Sequence, residues 1–387
     1  MEQFDVVIIG AGLAGLQCAR LLSNAGLKIL LADRKTTLSQ SIHTTGIFVR
    51  RTLEDFDIPE DCLGPAVRDV TLYSPGRRSL QLSSAKDEFR IGRMGLLYQR
   101  FLEQSLENGV EWMPATRYSD LSTLGDQVVL RLDTNRSSRW IKTRYVVGAD
   151  GANSRVGRDL QLDRNDDWIV GVEDVYSAIA PTGAPRLHCF LDHDLAPGYL
   201  AWLADDGEEI HIGVGGYPAK FDPTTALERF RNSLGDVVDL NFYKWVERRG
   251  GRIPVGGVLR RIANNQGLLV GDAAGAVSPL TAGGLDPCMR LSTLAASVIR
   301  DYLVTNDRSV LAAYSGKQFR ARFTSRIWMR SIVAHLNQPA LELGCFALRL
   351  PLLKNFANHI FFGRGSFPDV EVSAPQQRLR PVSTARL

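Results

Sequence analysis

Gly10, Gly12 and Gly15 form a G-x-G-x-x-G turn directly after the apolar run Val6-Val7-Ile8-Ile9. Each glycine has its own task at a pyrophosphate. Gly10 permits the tight turn, Gly12 leaves room for phosphate against the backbone, and Gly15 lets the next helix pack close to the strand. The N-terminus of that helix adds free N–H groups and positive partial charge. Asp33 follows a second apolar run, residues 28–32, where a carboxylate can accept bonds from ribose hydroxyls. That carboxylate disfavours a 2′-phosphate, although the adjacent Arg34 and Lys35 could serve a phosphate or stack on a purine.

Two more motifs follow in order. Asp150-Gly151 ends the run Val146-Val147-Gly148-Ala149 and leads into Ala152-Asn153-Ser154-Arg155. Gly271-Asp272 ends Leu268-Leu269-Val270 and leads into Ala273-Ala274-Gly275. A carboxylate at the carboxyl end of a buried strand sits where open α/β sheets bind ligands, so Asp272 is a candidate acceptor for polyol hydroxyls. Gly283-Gly284-Leu285 is a bare segment entering a helix, with Pro287 in its first turn. Its glycines would let a flat ring approach the backbone, and the helix N-terminus would favour negative charge on that ring.

The three motifs in this order resemble the flavoprotein superfamily that contains the geranylgeranyl reductases and the aromatic-ring hydroxylases. The resemblance spans residues 5–304 and implies non-covalently bound FAD, with NAD(P)H or another reductant as electron donor. It also implies that Arg93, just before a helix, reaches the FAD. Gly275 and the stretches 197–202 and 213–215 are similar to the reductases. The reductase pattern Tyr/Phe-x-Trp-x-Phe-Pro keeps only Trp202, and the reductase Cys-Gly-Gly stretch is His43-Thr44-Thr45-Gly46 here. The halogenase motif Trp-x-Trp-x-Ile-Pro is absent. The leading expectation is therefore reduction of a carbon–carbon double bond in a hydrophobic small molecule. Hydroxylation of an aromatic or other apolar substrate is the alternative, and a prenyl- or partner-binding protein without catalysis is the third reading.

His43 and Trp202 are the catalytic candidates. His43 lies in the segment that the resemblance brings near the ring, where it is either an acid or anchor, or a surface histidine beside Thr44. Trp202 is either a pocket wall or core. His211 alternates with Ile210 and Ile212 and so faces the other side of its strand.

These motifs require an α/β fold: a discontinuous Rossmann-like domain with an inserted antiparallel-sheet domain and C-terminal helices. Residues 1–66, 93–162 and 258–314 are assigned to the FAD-binding domain, and 67–92 and 163–257 to the sheet domain. Residues 315–370 read as helical and 371–387 as a loose tail. Helices are expected at residues 16–24, 94–107, 224–234 and 287–304. A hairpin is expected around Ser74-Pro75-Gly76-Arg77, with Gly76 at the positive-φ position of a type II turn. Residues 339–363 are rich in Leu and Phe and punctuated by Arg349 and Lys354, with Arg364 just beyond. They read as helices packed on the core, as a lid, or as a peripheral membrane contact.

Composition agrees with a folded enzyme. A net charge of +4, spread along the chain, gives no reason to expect nucleic acid. The five cysteines form no C-x-x-C pair and have no histidine at ligand spacing, which points to free thiols, a cytoplasmic setting and no metal. No apolar run is long enough to span a bilayer.

Overall fold

The computed structural model describes residues 1–363 apart from 126, 181 and 182. Arg364 and the expected tail, 371–387, lie outside the described residues.

The first sheet is built around the glycine turn. Strand Glu2–Ile9 is central, paired in parallel with Ile29–Ala32 on one side and Ser138–Gly148 on the other. Glu111–Met113 extends one edge in parallel, and Gly267–Leu269 pairs in parallel with the end of Ser138–Gly148. Arg117–Leu124 and Gln127–Asp133 complete the sheet as an antiparallel pair. Four of these strands end at one edge, where residues 10, 33, 149 and 270 leave the sheet. Helices Leu13–Ser23, Met94–Glu107 and Leu285–Thr305 pack on it through Leu16, Leu97, Phe101 and Ile299, all fully buried. Gly109, at φ 84°, follows the Met94–Glu107 helix.

The second sheet has seven strands in the order Tyr243–Pro254, Trp168–Ala178, Glu209–Gly216, Ala201–Asp205, Arg186–Phe190, Asp69–Tyr73, Ser79–Ser83. Its neighbours run antiparallel except Arg186–Phe190 and Asp69–Tyr73, which are parallel, so the all-antiparallel expectation is corrected there. The pairing joins distant segments, and no local hairpin dictates its direction. Alternation gives this sheet two faces. Ile210, Ile212 and Val214 pack with Ala226, Leu227 and Phe230 of helix Pro223–Asn232. His211, Gly213 and Gly215 take the opposite face, as the alternation of His211 with Ile210 and Ile212 requires.

A third sheet, Ile47–Val49, Phe89–Gly92 and Leu63–Val67, bridges the other two. The 74–77 hairpin forms, but the positive φ falls on Arg77 at 61°. Gly76 instead lets the Glu342 carboxylate approach: its N–H donates to Glu342 Oε2 at 2.8 Å, and a Cβ there would crowd the same group. Helices Gly316–Arg322, Thr324–His335, Gln338–Ala347 and Pro351–Phe362 close the chain. No helix among the described residues is long and apolar enough to cross a membrane.

Candidate functional site

One cavity of about 1610 Å³ runs from the glycine turn, under the second sheet, to the C-terminal helices. That exceeds the volume of about 300–1,000 Å³ usual for one drug-sized ligand.

At the first end, the strand turns at Gly10 with φ 104°. A Cβ on Gly10 would strike the Ala149 carbonyl, and one on Gly15 would strike the Gly10 carbonyl. The turn and the 149–151 segment are thus locked together by the absence of side chains. Gly12 differs: nothing lies within 4 Å of where its Cβ would be. It caps helix Leu13–Ser23 with no side-chain bond and no acid in the first turn. The arrangement is an open cradle at a helix N-terminus, which suits a pyrophosphate.

Asp33 lines the cavity and also braces the turn. Its Oδ2 accepts from Ala11 N and its Oδ1 from Lys35 N, each at 2.7 Å. Each oxygen keeps a lone pair for a ribose hydroxyl. Arg34 is exposed on the same rim. Asp150 and Gly151 line the cavity, but the Asp150 carboxylate is engaged by Ser154 Oγ at 2.6 Å and by Arg155 N and Val156 N at 2.7 and 3.1 Å. It holds the start of the short Arg155–Asp159 helix.

Gly271, at φ 57°, packs where a Cβ would meet Ala14, which brings Asp272 beside the first helix. Among the described residues the Asp272 carboxylate has no hydrogen bond or ion pair, and burial pushes its pKa up to about 6. It lines the cavity next to Gly284, the N-cap of helix Leu285–Thr305. Gly283, Gly284 and Leu285 all line the cavity, while the positive φ of this loop falls on Ala282 at 50°. An unpartnered carboxylate, two uncapped helix N-termini and an open cradle at Gly12 together fit the polyol, ring and pyrophosphate of a flavin dinucleotide.

The structure corrects Arg93. Its guanidinium does not line the cavity; it bonds Asp206 and Glu208 at 2.8 Å and Glu209 at 3.1 Å. Asp206 is fully buried, so three carboxylates at one turn of the second sheet hold this cation away from the cavity. His43 is exposed, with Nδ1 2.8 Å from the Gly250 carbonyl oxygen. Burial lowers its pKa, and Lys35 and Arg34 act in the same sense, so it belongs to the rim near Asp33.

Trp202 lies half-buried on the cavity side of the second sheet, its ring over Gly213, where a Cβ would collide with it. Its Nε1 donates to Glu173 Oε2 at 3.2 Å, and Thr45 Oγ1 donates to the same oxygen at 2.6 Å. Sequence reasoning missed Glu173, Arg249 and Arg290. An acid inside the run Val170-Gly171-Val172-Glu173 was the available signal for the first. Arg290 is fully buried on helix Leu285–Thr305 and bonds Asp286 at 2.9 Å and Asp55 at 2.7 Å, fixing the helix start that faces the cavity.

The last lobe is apolar. Leu72, Phe89, Leu187, Cys189, Leu348 and Phe361 pack together and line it.

Comparison with known proteins agrees with this geometry. Residues 3–330 match the model of the FAD binding domain family. Digeranylgeranylglycerophospholipid reductase 1 of Methanococcoides burtonii is 24% identical over 86% of this chain and 83% of its own length. The corresponding reductase 1 of Methanopyrus kandleri is 27% identical over 79% of this chain and 83% of its own length. A geranylgeranyl bacteriochlorophyll reductase-like protein from Thermoplasma acidophilum superposes with TM-score 0.80 at 19% identity, covering 97% of this chain and 95% of that one. The p-nitrophenol 4-monooxygenase of Pseudomonas putida superposes at 0.67 and 15% identity, covering 94% and 100%. With its glycine cradle, its free Asp272 and a family match over most of its length, the chain belongs to the FAD binding domain family and is an FAD-dependent oxidoreductase.

Proposed function

We propose that this protein reduces carbon–carbon double bonds in a long, apolar, isoprenoid-like molecule. Bound FAD, once reduced, would supply a ring that donates hydride. Gly10, Gly12, Gly15 and the Leu13–Ser23 helix N-terminus would hold its pyrophosphate, Asp33 and Arg34 its adenosine, and Asp272 its ribityl hydroxyls. Residues 283–285 would lie along the ring. Electrons would enter from NAD(P)H or a comparable reductant.

The observation that carries the reading is the apolar lobe, continuous with the cofactor end of the same cavity. A chain of CH₂ and CH₃ groups gains about 0.8 kcal/mol per buried CH₂ there. The reductases named above are lipid reductases by name, which supports the same substrate class.

The C-terminal helices would present that lobe to a lipid surface. Trp328, Ile332, Leu343, Phe346, Leu350 and Leu352 are 56–84% exposed on helices Thr324–His335 and Gln338–Ala347 and the start of Pro351–Phe362. Ile332 also lines the cavity, as do Phe356 and Phe362 nearby. Apolar side chains beside Arg349 and Lys354 suit an anionic membrane interface.

The test is mass spectrometry of a geranylgeranyl-chain phospholipid after incubation with the reduced, purified protein. Reduction adds two hydrogens per double bond without oxygen. Gain of an oxygen atom with oxygen uptake would replace this reading by hydroxylation, and a colourless protein that leaves the lipid unchanged would replace it by a carrier.

A further inference from the structure

A line of buried ionisable groups crosses the second sheet, from the cavity wall to the outer surface. Glu173, on Trp168–Ala178, lies opposite Gly213; Val175, two residues on, lies opposite His211. Glu173 and His211 are therefore diagonal neighbours on one face. Glu173 Oε1 is 3.5 Å from His211 Nδ1, and His211 Nε2 is 3.5 Å from Glu209 Oε2. The side chains of Glu173 and His211 are 4% and 1% exposed, whereas Glu209 is 27% exposed. Glu209 also meets Arg93, which is paired with Asp206 and with the exposed Glu208. At the inner end Glu173 lines the cavity, held by Thr45 and Trp202.

Such a line is costly as structure. Burying charges gains little over well-packed apolar side chains, so packing alone does not account for this line. Among the described residues no set of His, Cys, Asp and Glu converges as a metal ion would require. A path for protons fits both the burial and the direction.

Resting on the double-bond reduction proposed above, the chemistry needs such a path. Saturating one double bond consumes one hydride and one proton. We propose that Glu173 donates this proton to the substrate carbon, and that His211 and Glu209 refill it from solvent. The π bond breaks, and one carbon takes hydride from reduced flavin. The other carbon forms a C–H bond with the proton that Nδ1 of the His211 imidazolium passes through the Glu173 carboxylate, which ends ionised as it began. A half-turn of the imidazole presents its remaining N–H to Glu173 and its bare nitrogen to Glu209, which reprotonates it from water. The protein ends unchanged.

The electrostatics support one shared proton. Burial opposes both charges, yet His211, Thr45 and Arg249 hold the Glu173 carboxyl below the usual range. Burial also opposes the imidazolium, but Glu173 and Glu209 hold His211 above the usual histidine range, against Arg249. Arg249 is itself paired with Glu247 at 2.8 Å. His43 is not on this line; its ring is bonded to the Gly250 carbonyl.

Two measurements on the FAD-loaded protein test the proposal. The first is NMR titration of the His211 ring, which needs no substrate. His211 is expected to stay protonated above the ordinary range and to titrate about one unit lower or more in Glu173→Gln. The second is turnover of geranylgeranyl phosphate. Glu173→Gln should lower kcat about a hundredfold, with KM little changed. Glu173→Ala should recover part of its turnover with added formate, which a purely structural carboxylate would not allow. Wild-type kcat should fall as pH rises through the His211 titration. An ordinary His211 titration that ignores Glu173→Gln would overturn the relay whatever the reaction. Undiminished reduction by Glu173→Gln would remove Glu173 as the acid while leaving double-bond reduction intact.

Discussion

Asp33 and Asp272 both line the cavity, but their substitutions are expected to act in opposite directions on the protein without cofactor. Asp33 braces the glycine turn through Ala11 N and Lys35 N. Asp33→Ala should therefore lower both stability and FAD affinity, because two backbone donors lose their acceptor. Asp272 has no such partner, and burial raises its pKa to about 6. A folded carboxyl that binds its proton more tightly than the unfolded chain loses stability as pH rises, here between about 4 and 6. Asp272→Asn should remove that slope and stabilise the cofactor-free protein by about 1–3 kcal/mol at pH 7. The same change should weaken FAD binding roughly tenfold to a hundredfold, the worth of a bond from a neutral donor to a charged acceptor. Paired denaturant and FAD titrations at pH 4 and pH 7 measure both effects. Equal destabilisation of the cofactor-free protein by the two variants would contradict this division of labour.

Trp202 is neither plain core nor plain pocket. Its ring covers Gly213 on the cavity side, while its N–H holds the Glu173 carboxylate. Trp202→Phe keeps a smaller aromatic ring and removes the donor; Trp202→Ala removes both. The expected order is a small loss of thermal stability for Phe and a larger one for Ala, with FAD kept in both. Product distribution should shift only in Ala, where the cavity wall opens. Melting curves beside product analysis check this order, and loss of flavin from Trp202→Phe would contradict it.

At the scale of elements, helices were easier to read than strands. The Met94–Glu107 helix lies where the four-residue spacing of Leu97/Phe101 and Leu102/Leu106 puts it, because an amphipathic stripe survives any tertiary context. Strand Tyr243–Pro254 was not legible. It is an edge strand with half of its residues exposed, and its Lys244, Glu247, Arg248 and Arg249 carry no apolar alternation. Charge on an edge strand prevents pairing with another chain, so the signal that protects the strand also hides it. Arg93 misled for a related reason: its position before a helix is local, while its partners at 206–209 lie far along the chain.

The C-terminal helices carry the prediction of this scale. Leu352 is 84% exposed and does not line the cavity. Leu352→Glu should reduce co-sedimentation with anionic phospholipid vesicles and leave FAD content and melting temperature unchanged. Unaltered vesicle binding would shift the interface away from the start of the Pro351–Phe362 helix.

At the scale of the whole molecule, the cofactor end is assembled from three distant stretches: 10–15, 149–151 and 271–285. They touch through bare backbone, with Gly10 and Gly15 at van der Waals limits and Gly271 against Ala14. FAD bound across them should therefore tie together segments that the chain separates by more than two hundred residues. A ligand that binds only the folded state stabilises it by about 2.7 kcal/mol at a hundredfold excess over Kd. Adding FAD to the stripped protein should raise its melting temperature by several degrees. Gly12→Val tests whether the cradle is the point of attachment. Gly12 sits at φ −74° and ψ −177°, a conformation open to valine, and nothing lies within 4 Å of its Cβ position. The variant should fold and melt like the stripped wild type, because its Cβ enters the cradle with no protein atom within 4 Å. It should then show no rise on addition of FAD, since the valine side chain occupies the volume that phosphate needs. A rise equal to that of the wild type would place the pyrophosphate elsewhere in the cavity.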